Sequence, residues 1–311
     1  MLNPKKTYTA LFPRYGHRAK AILALMVVCF FWGTTWIASR IGVQYMPALQ
    51  LAGIRQLLGG TIYIIFFLSG RNKWPRGKEW VTILVLSLLN FFFTNGLTTW
   101  GIQFISAGLG AIIAAIFPLW LVVFAFFRKR TIIPMKSLLG LLLGFGGVCV
   151  IFYEHLKDFL NPDFRFGILI SLAGSLSWAI GTVYTKRQAG EFNPYFSIGL
   201  QMFISGILLY LVSSLSGMAI PLGSIPVQSW MAIGYLVVFG SVITFVAYLY
   251  ALQNLPTEQV SIYAYMNPVV AVLLGAFLFG EKLTIFIGAG GLITLYGVYL
   301  VNDTHRKKLL S

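Results

Sequence analysis

Acidic residues are nearly missing from this sequence: 8 Asp and Glu stand against 23 Lys and Arg in 311 residues, and charged residues of both signs reach only 10%. Soluble domains carry roughly 25%. With 58% hydrophobic residues and a mean hydropathy of +0.82, the composition excludes an ordinary soluble domain and describes an integral membrane protein. Only two cysteines occur, Cys29 and Cys149, both within apolar runs, which argues against a disulfide framework or a cysteine metal site. Histidine is almost as scarce. His17, His155 and His305, like the acids, fall in connectors or at the ends of apolar runs. No nucleophile with its base and no metal cluster is therefore expected at membrane depth, so the chain reads as neither an enzyme nor a cofactor protein. A channel filter of charged side chains or carbonyls is not visible either.

What is present is hydrophobic length. A helix needs about 20 apolar residues to cross a bilayer, and ten runs qualify: 19–41, 47–69, 80–104, 106–127, 133–153, 166–187, 194–216, 228–253, 258–279 and 284–302. The fold class predicted is an all-α integral membrane protein with ten transmembrane helices. The basic segment "MLNPKKTYTALFPRYGHRAK" precedes a run too long for a signal-peptide core, with no cleavage site of small residues, so the first span is expected to stay. A net charge of +15 would suggest nucleic acid in a soluble protein. Here the cations flank the spans, and the partners expected are the lipid bilayer and a small-molecule substrate, with no nucleic acid. Segments 1–20, 71–78, 128–136, 186–187 and 306–308 hold 18 of the 23 Lys and Arg, which predicts both termini on the cytoplasmic side.

The chain also repeats itself. A shift of 150 residues brings Trp80 onto Trp230, Thr94 onto Thr244, Pro118 onto Pro268, Gly140 onto Gly290 and Gly147 onto Gly297. Nearer the start of each half the shift is 146, pairing Trp32 with Trp178, Arg40 with Lys186, Gly53 with Gly199 and Gly60 with Gly206. Five spans per half is an odd number, so the second half enters the membrane from the opposite side. Two inverted five-helix repeats are a recurring plan of secondary transporters. The organisation expected is a cytoplasmic N-terminal segment 1–18, a first repeat 19–153, a connector 154–165, a second repeat 166–302 and a cytoplasmic tail 303–311.

The stretches "FWGTTWIASRIG" (31–42) and "SIYAYMNPVVAVLLGAFLFGEKLT" (261–284) resemble the EamA-type permeases of the drug/metabolite transporter superfamily. The Gly280–Glu281 pair and the mid-helix prolines match that pattern; "FFRKRT" replaces the Gly-Glu pair in the first half. The resemblance implies one family unit per half and a ten-helix permease of small metabolites in the bacterial inner membrane, often an exporter. A non-transporting receptor or scaffold is the other reading.

Trp32 stands 13 residues into the first span, roughly 20 Å along a helix, and Trp178 is placed alike in the sixth. A position in the interfacial aromatic belt explains neither. Trp36 shares a face with Trp32 at i+4, flanked by Thr35 and Ser39; Trp178, Thr182 and Thr185 make the second stripe. Two readings stand, the walls of one central cavity or tight helix packing. Pro118 and Pro268 free the carbonyls of Ala114 and Ala264 and are read as hinges. Asn90, Thr94, Asn95, Thr244, Tyr248, Tyr263 and Asn267 add polar atoms at equivalent spans. Substrate contacts are expected from Trp32, Trp36, Asn95, Trp178, Thr182, Tyr248, Tyr263 and Asn267. Arg40 and Lys186 are gates, joined by Glu281 and Glu258, or they snorkel to the interfaces. Arg55 is the one charge well inside a span. It either binds a substrate carboxylate or satisfies helix-end carbonyls, and Gln201 at the equivalent position favours the structural role. The glycines of "GLLLGFGG" and "GAGGLITLYG" permit close helix contact, within a monomer or across a homodimer. With no Asp, Glu or His in the body of a span, transport is expected to depend little on protons.

Overall fold

The computed structural model describes residues 14–69, 74–117, 119–121, 123–124, 135–154, 158–188, 193–255, 260 and 263–310. Among them every regular element is a helix, as required where no water can satisfy backbone groups. They run as α1 (Arg14–Val43), α2 (Ala48–Ser69), α3 (Lys78–Gly101), α4 (Ala107–Leu121), α5 (Met135–Glu154), α6 (Pro162–Gln188), α7 (Pro194–Leu215), α8 (Val227–Asn254), α9 (Tyr263–Phe279) and α10 (Ile285–Leu310).

Start signals are local. Asn193 caps α7, its Oδ1 accepting from Tyr195 N at 3.0 Å, with Pro194 behind it where no N–H is needed. Ser106 caps α4 through Leu109 N at 3.1 Å. A second acceptor comes from far away in sequence: Glu281 Oε1 receives Ala107 N at 3.3 Å. Gly280, at φ 64°, ends α9 and turns the chain so that this carboxylate reaches the positive end of α4. Glu281 therefore caps α4 in this structure.

Among the described residues six helices are long and apolar enough to cross a membrane: α1, α2, α3, α6, α7 and α8. The apolar parts of α4, α5, α9 and α10 are shorter, 10–17 residues among those described. The short ones fall at corresponding places in the two halves, the fourth and fifth of the expected spans in one and the ninth and tenth in the other. α10 also continues to Leu310, past the expected end at 302, so the described part of the tail is helical. The expected connector contains a short turn at Asp158–Leu160 before α6 starts at Pro162. Pro118, the "FFRKRT" stretch and Glu258 lie outside the described residues.

The glycines that repeat in sequence sit at helix crossings. A Cβ on Gly60 would lie 2.4 Å from Phe203 N, and one on Gly206 2.4 Å from Leu57 N, so α2 and α7 pack antiparallel with backbones touching. α5 and α10 do the same: a Cβ on Gly147 would meet Thr294 Oγ1 at 2.4 Å, and one on Gly297 would meet Gly144 N at 2.4 Å. Without a hydrophobic drive between helices in lipid, such close dispersion contact is what holds them together. Lys136 and Asp303 form an ion pair that ties the start of α5 to the far part of α10. Between the two glycine-rich pairs, α1 packs on α8 and α9 while α3 packs on α6.

Both α3 and α8 widen into π-helix, at Ser87–Phe93 and Leu236–Ile243. The side chain five residues on folds back in each case: Thr94 Oγ1 donates to Leu89 O at 2.7 Å, and Thr244 Oγ1 donates to Phe239 O. Donors on other helices use the same turns. Ser177 of α6 donates to Leu89 O at 2.8 Å, and Tyr63 of α2 to Val242 O at 2.9 Å. Single-turn π segments of this kind collect at functional sites.

Candidate functional site

A cavity of about 170 Å³ opens between α1, α2, α3, α4, α6, α8 and α9. One water needs ~10–15 Å³ by the same measure, so the space takes a small organic molecule. Its α1 wall is Trp32, Thr35, Trp36 and Ser39, the full stripe at helical spacing. Trp32 is held from three sides. Its ring centroid lies 5.1 Å from that of Phe245, 5.1 Å from Tyr248 and 5.0 Å from Tyr263, and its Nε1 donates to Gly240 O at 3.2 Å. A ring so fixed presents a rigid apolar face rather than a free donor. Gly33 explains the small residue beside it: a Cβ there would come 2.5 Å from Val270 Cβ, so α1 can approach α9 only as glycine. The Trp36 ring rests on Gly110, where a Cβ would lie 3.0 Å from Cζ3.

Trp178 of α6 also lines the cavity, as do Asn95 of α3 and Tyr263, Asn267 and Pro268 of α9. The Asn267 amide nitrogen, placed by its surroundings, donates to Tyr263 O and Cys29 O, each at 3.1 Å, which ties the helix at Pro268 to α1. Ala264, whose carbonyl Pro268 frees, is itself on the wall. Ala114 is too, and its carbonyl receives Ser175 Oγ at 3.5 Å.

Two expected contacts stand back from the cavity. Thr182 donates to Trp178 O at 2.8 Å, so its hydroxyl is used by its own helix. Tyr248 is a second layer, 5.7 Å from the Tyr263 ring and edge-on behind it. Arg40 does not snorkel. Its Nη1 donates to Ile102 O and, at 3.1 Å, to Gln103 O, so it clamps the carbonyl end of α3 where Ile102 closes the cavity. The Lys186 side chain lies outside what is described. Arg55 is on the wall and buried, and no helix-end carbonyl accepts from it among the described residues.

Thr98, Thr99, Ser175, Phe117 and Phe245 also line the space and were not expected. A signal for the threonines existed: Thr94, Asn95, Thr98 and Thr99 recur at i, i+1, i+4 and i+5, a polar face on an otherwise apolar span. Phe245 and Phe117 gave none, because aromatics fill every span of this chain. Among the described residues no three His, Cys, Asp or Glu gather as a metal site would need.

The EamA-like transporter family profile matches this chain twice, over residues 19–153 and 165–303. The protein described as the uncharacterized inner membrane transporter YedA of Escherichia coli strain K12 is 32% identical over 281 residues, 89% of this chain and 86% of its own length. The uncharacterized transporter YvbV of Bacillus subtilis strain 168 is 28% identical, with 92% of each chain covered. A crystal structure superposes with a TM-score of 0.66 at 18% identity, spanning 93% of this chain and 98% of the other, and so shares the fold.

Proposed function

The chain belongs to the EamA-like transporter family and is a membrane transporter; on that premise we propose an inner-membrane permease that exports small amino-acid-like or related organic solutes by alternating access. The observation that carries this reading is the cavity itself. It lies between helices of both halves, is walled by Trp32 and Trp178 near the middles of α1 and α6, and is dotted with hydroxyls and amides. Apolar walls with a few placed polar groups suit a small metabolite. The name of the related Escherichia coli protein supports the inner-membrane location.

Alternating access requires two states, and the inverted pair of five-helix repeats, 19–153 and 166–302, supplies them in this reading. Supporting it are the two family matches, the paired glycines at both antiparallel crossings and the π turns at equivalent places in α3 and α8. Ten helices then cross the bilayer and both termini are cytoplasmic. Pro118 and Pro268 act as hinges. Arg40, with Lys186 as its counterpart, latches the ends that open. Transport is uniport or exchange, little dependent on a proton gradient and free of any cofactor. The test is uptake or counterflow of labelled amino acids and related metabolites in proteoliposomes. Absence of movement for every solute of that class, in a preparation of folded protein, overturns the substrate reading.

A further inference from the structure

One cation on the cavity wall has no counter-charge among the described residues. Arg55 is only 7% exposed, and its Nε donates to Ser241 Oγ at 3.1 Å, its single hydrogen bond among the described residues. That bond sets the plane of the guanidinium and leaves the donors on Nη1 and Nη2 without a protein acceptor. Space is kept for them: a Cβ on Gly240 would lie 3.0 Å from Nη2 and 2.7 Å from Thr35 Cγ2. Among the described residues no Asp or Glu lines the cavity. A buried charge lacking a partner is costly, and structural glue would spend the free fork on carbonyls. A molecule that brings its own negative charge offsets the cost. The fork is shaped for a carboxylate, which it meets with two parallel bonds.

We infer that Arg55 receives the free carboxylate of the transported solute. The substrates are then small molecules with one carboxylate and an apolar body, as in apolar amino acids and short aryl or alkyl acids. This rests on the reading of the cavity as the transport site. With the carboxylate on Arg55, beside Thr35 and Gly240, the body lies toward Trp32, whose N–H is already committed to Gly240 O. Amides and simple amines of the same body lack the charge that Arg55 needs.

The experiment uses the purified full chain with L-leucine, L-phenylalanine and 3-phenylpropanoate, each beside its primary amide, and potassium chloride titrated alone. Tryptophan fluorescence reads binding, and proteoliposome uptake reads transport. At least one acid is expected to bind saturably and be taken up, its amide binding ~10- to 100-fold more weakly, the range of a lost charged hydrogen bond. Arg55→Gln is expected to reduce the acid to the level of its amide, and Arg55→Lys to fall between. The lysine variant carries the comparison if the glutamine variant does not run as a single folded species. The inference is overturned if an amide binds as well as its acid, or Arg55→Gln keeps wild-type affinity. It is also overturned if chloride alone saturates the response, or no acid produces one. Equal uptake of acids and amides sinks the carboxylate site and leaves the permease. Arg55-dependent binding with no uptake at all sinks the permease and leaves the site.

Discussion

The indole of Trp32 and the carbonyl of Gly240 meet at 3.2 Å, joining the middle of α1 to the π-helical turn of α8 across 208 residues of sequence. The contact fixes the ring that forms the cavity wall and gives a partner to a carbonyl on a widened turn. It also accounts for the glycine, because the same position faces Thr35 and Arg55 too closely for a Cβ. One residue pair thus links the aromatic wall, the irregular helix and the buried cation.

Trp32 can be tested by parts. Trp32→Phe keeps a ring but loses the donor, a change of about 0.5–1.5 kcal/mol, and is expected to stay folded with reduced transport. Trp32→Ala is expected to lower transport ~100-fold, the scale of a misplaced substrate, while the protein still elutes as one species. Wild-type transport by the alanine variant, or failure of both variants to insert, removes Trp32 from the substrate wall.

Gly240→Ala is expected to push Thr35 and Arg55 away from the π turn, their Cγ2 and Nη2 lying 2.7 and 3.0 Å from the added carbon. Transport should fall further than thermal stability does. If activity in vesicles is unchanged, the space beside the guanidinium is not used.

Two adjacent glycines give opposite expectations. A Cβ on Gly146 meets nothing within 4 Å, whereas one on Gly147 meets Thr294 Oγ1 at 2.4 Å and Gly290 O at 2.5 Å. Gly146→Ala should be neutral or stabilising by up to ~1 kcal/mol. Gly147→Ala should lower the melting temperature read by size-exclusion after heating. Equal behaviour of the two would mean that α5 and α10 are not held by this crossing.

Energy coupling is expected to be weak in protons. Among the described residues the cavity wall carries Trp, Thr, Ser, Asn, Tyr and one Arg, and no Asp, Glu or His; arginine does not deprotonate in the physiological range. Uptake into proteoliposomes with and without a pH difference, at matched membrane potential, should differ by less than ~2-fold, far below the shift a titrating acid gives. Uphill accumulation driven by pH alone would show that a carboxylate outside this wall titrates on the pathway.

Topology has its own measurement. With Cys29 and Cys149 replaced by alanine, a cysteine at position 311 should react with an impermeant maleimide only after the membrane is opened. Labelling in intact cells reverses the orientation and the inversion of the halves with it.

The sequence by itself determined where the helices lie. Lengths of apolar residues, the prolines and asparagines at their starts and the scarcity of charge leave a membrane helix as the only form that satisfies the backbone. It also marked two crossings, since Gly60 and Gly206, and Gly147 and Gly297, which belong to the glycines repeating at 146 and 150 residues, have no room for a Cβ. The α1 stripe was legible too, because Trp32, Thr35, Trp36 and Ser39 break an apolar run at helical spacing. What only the tertiary structure decided is which way the remaining polar groups face. In water an apolar face marks the core, but in lipid the outer and inner faces are both apolar, and the pattern loses that information. So Thr182 turns to its own helix, Tyr248 stands behind Tyr263, and Glu281 reaches α4 from the end of α9. Arg55 faces the cavity with one bond made, because its neighbours Ser241 and Gly240 come from a helix 186 residues away that no local periodicity could place beside it.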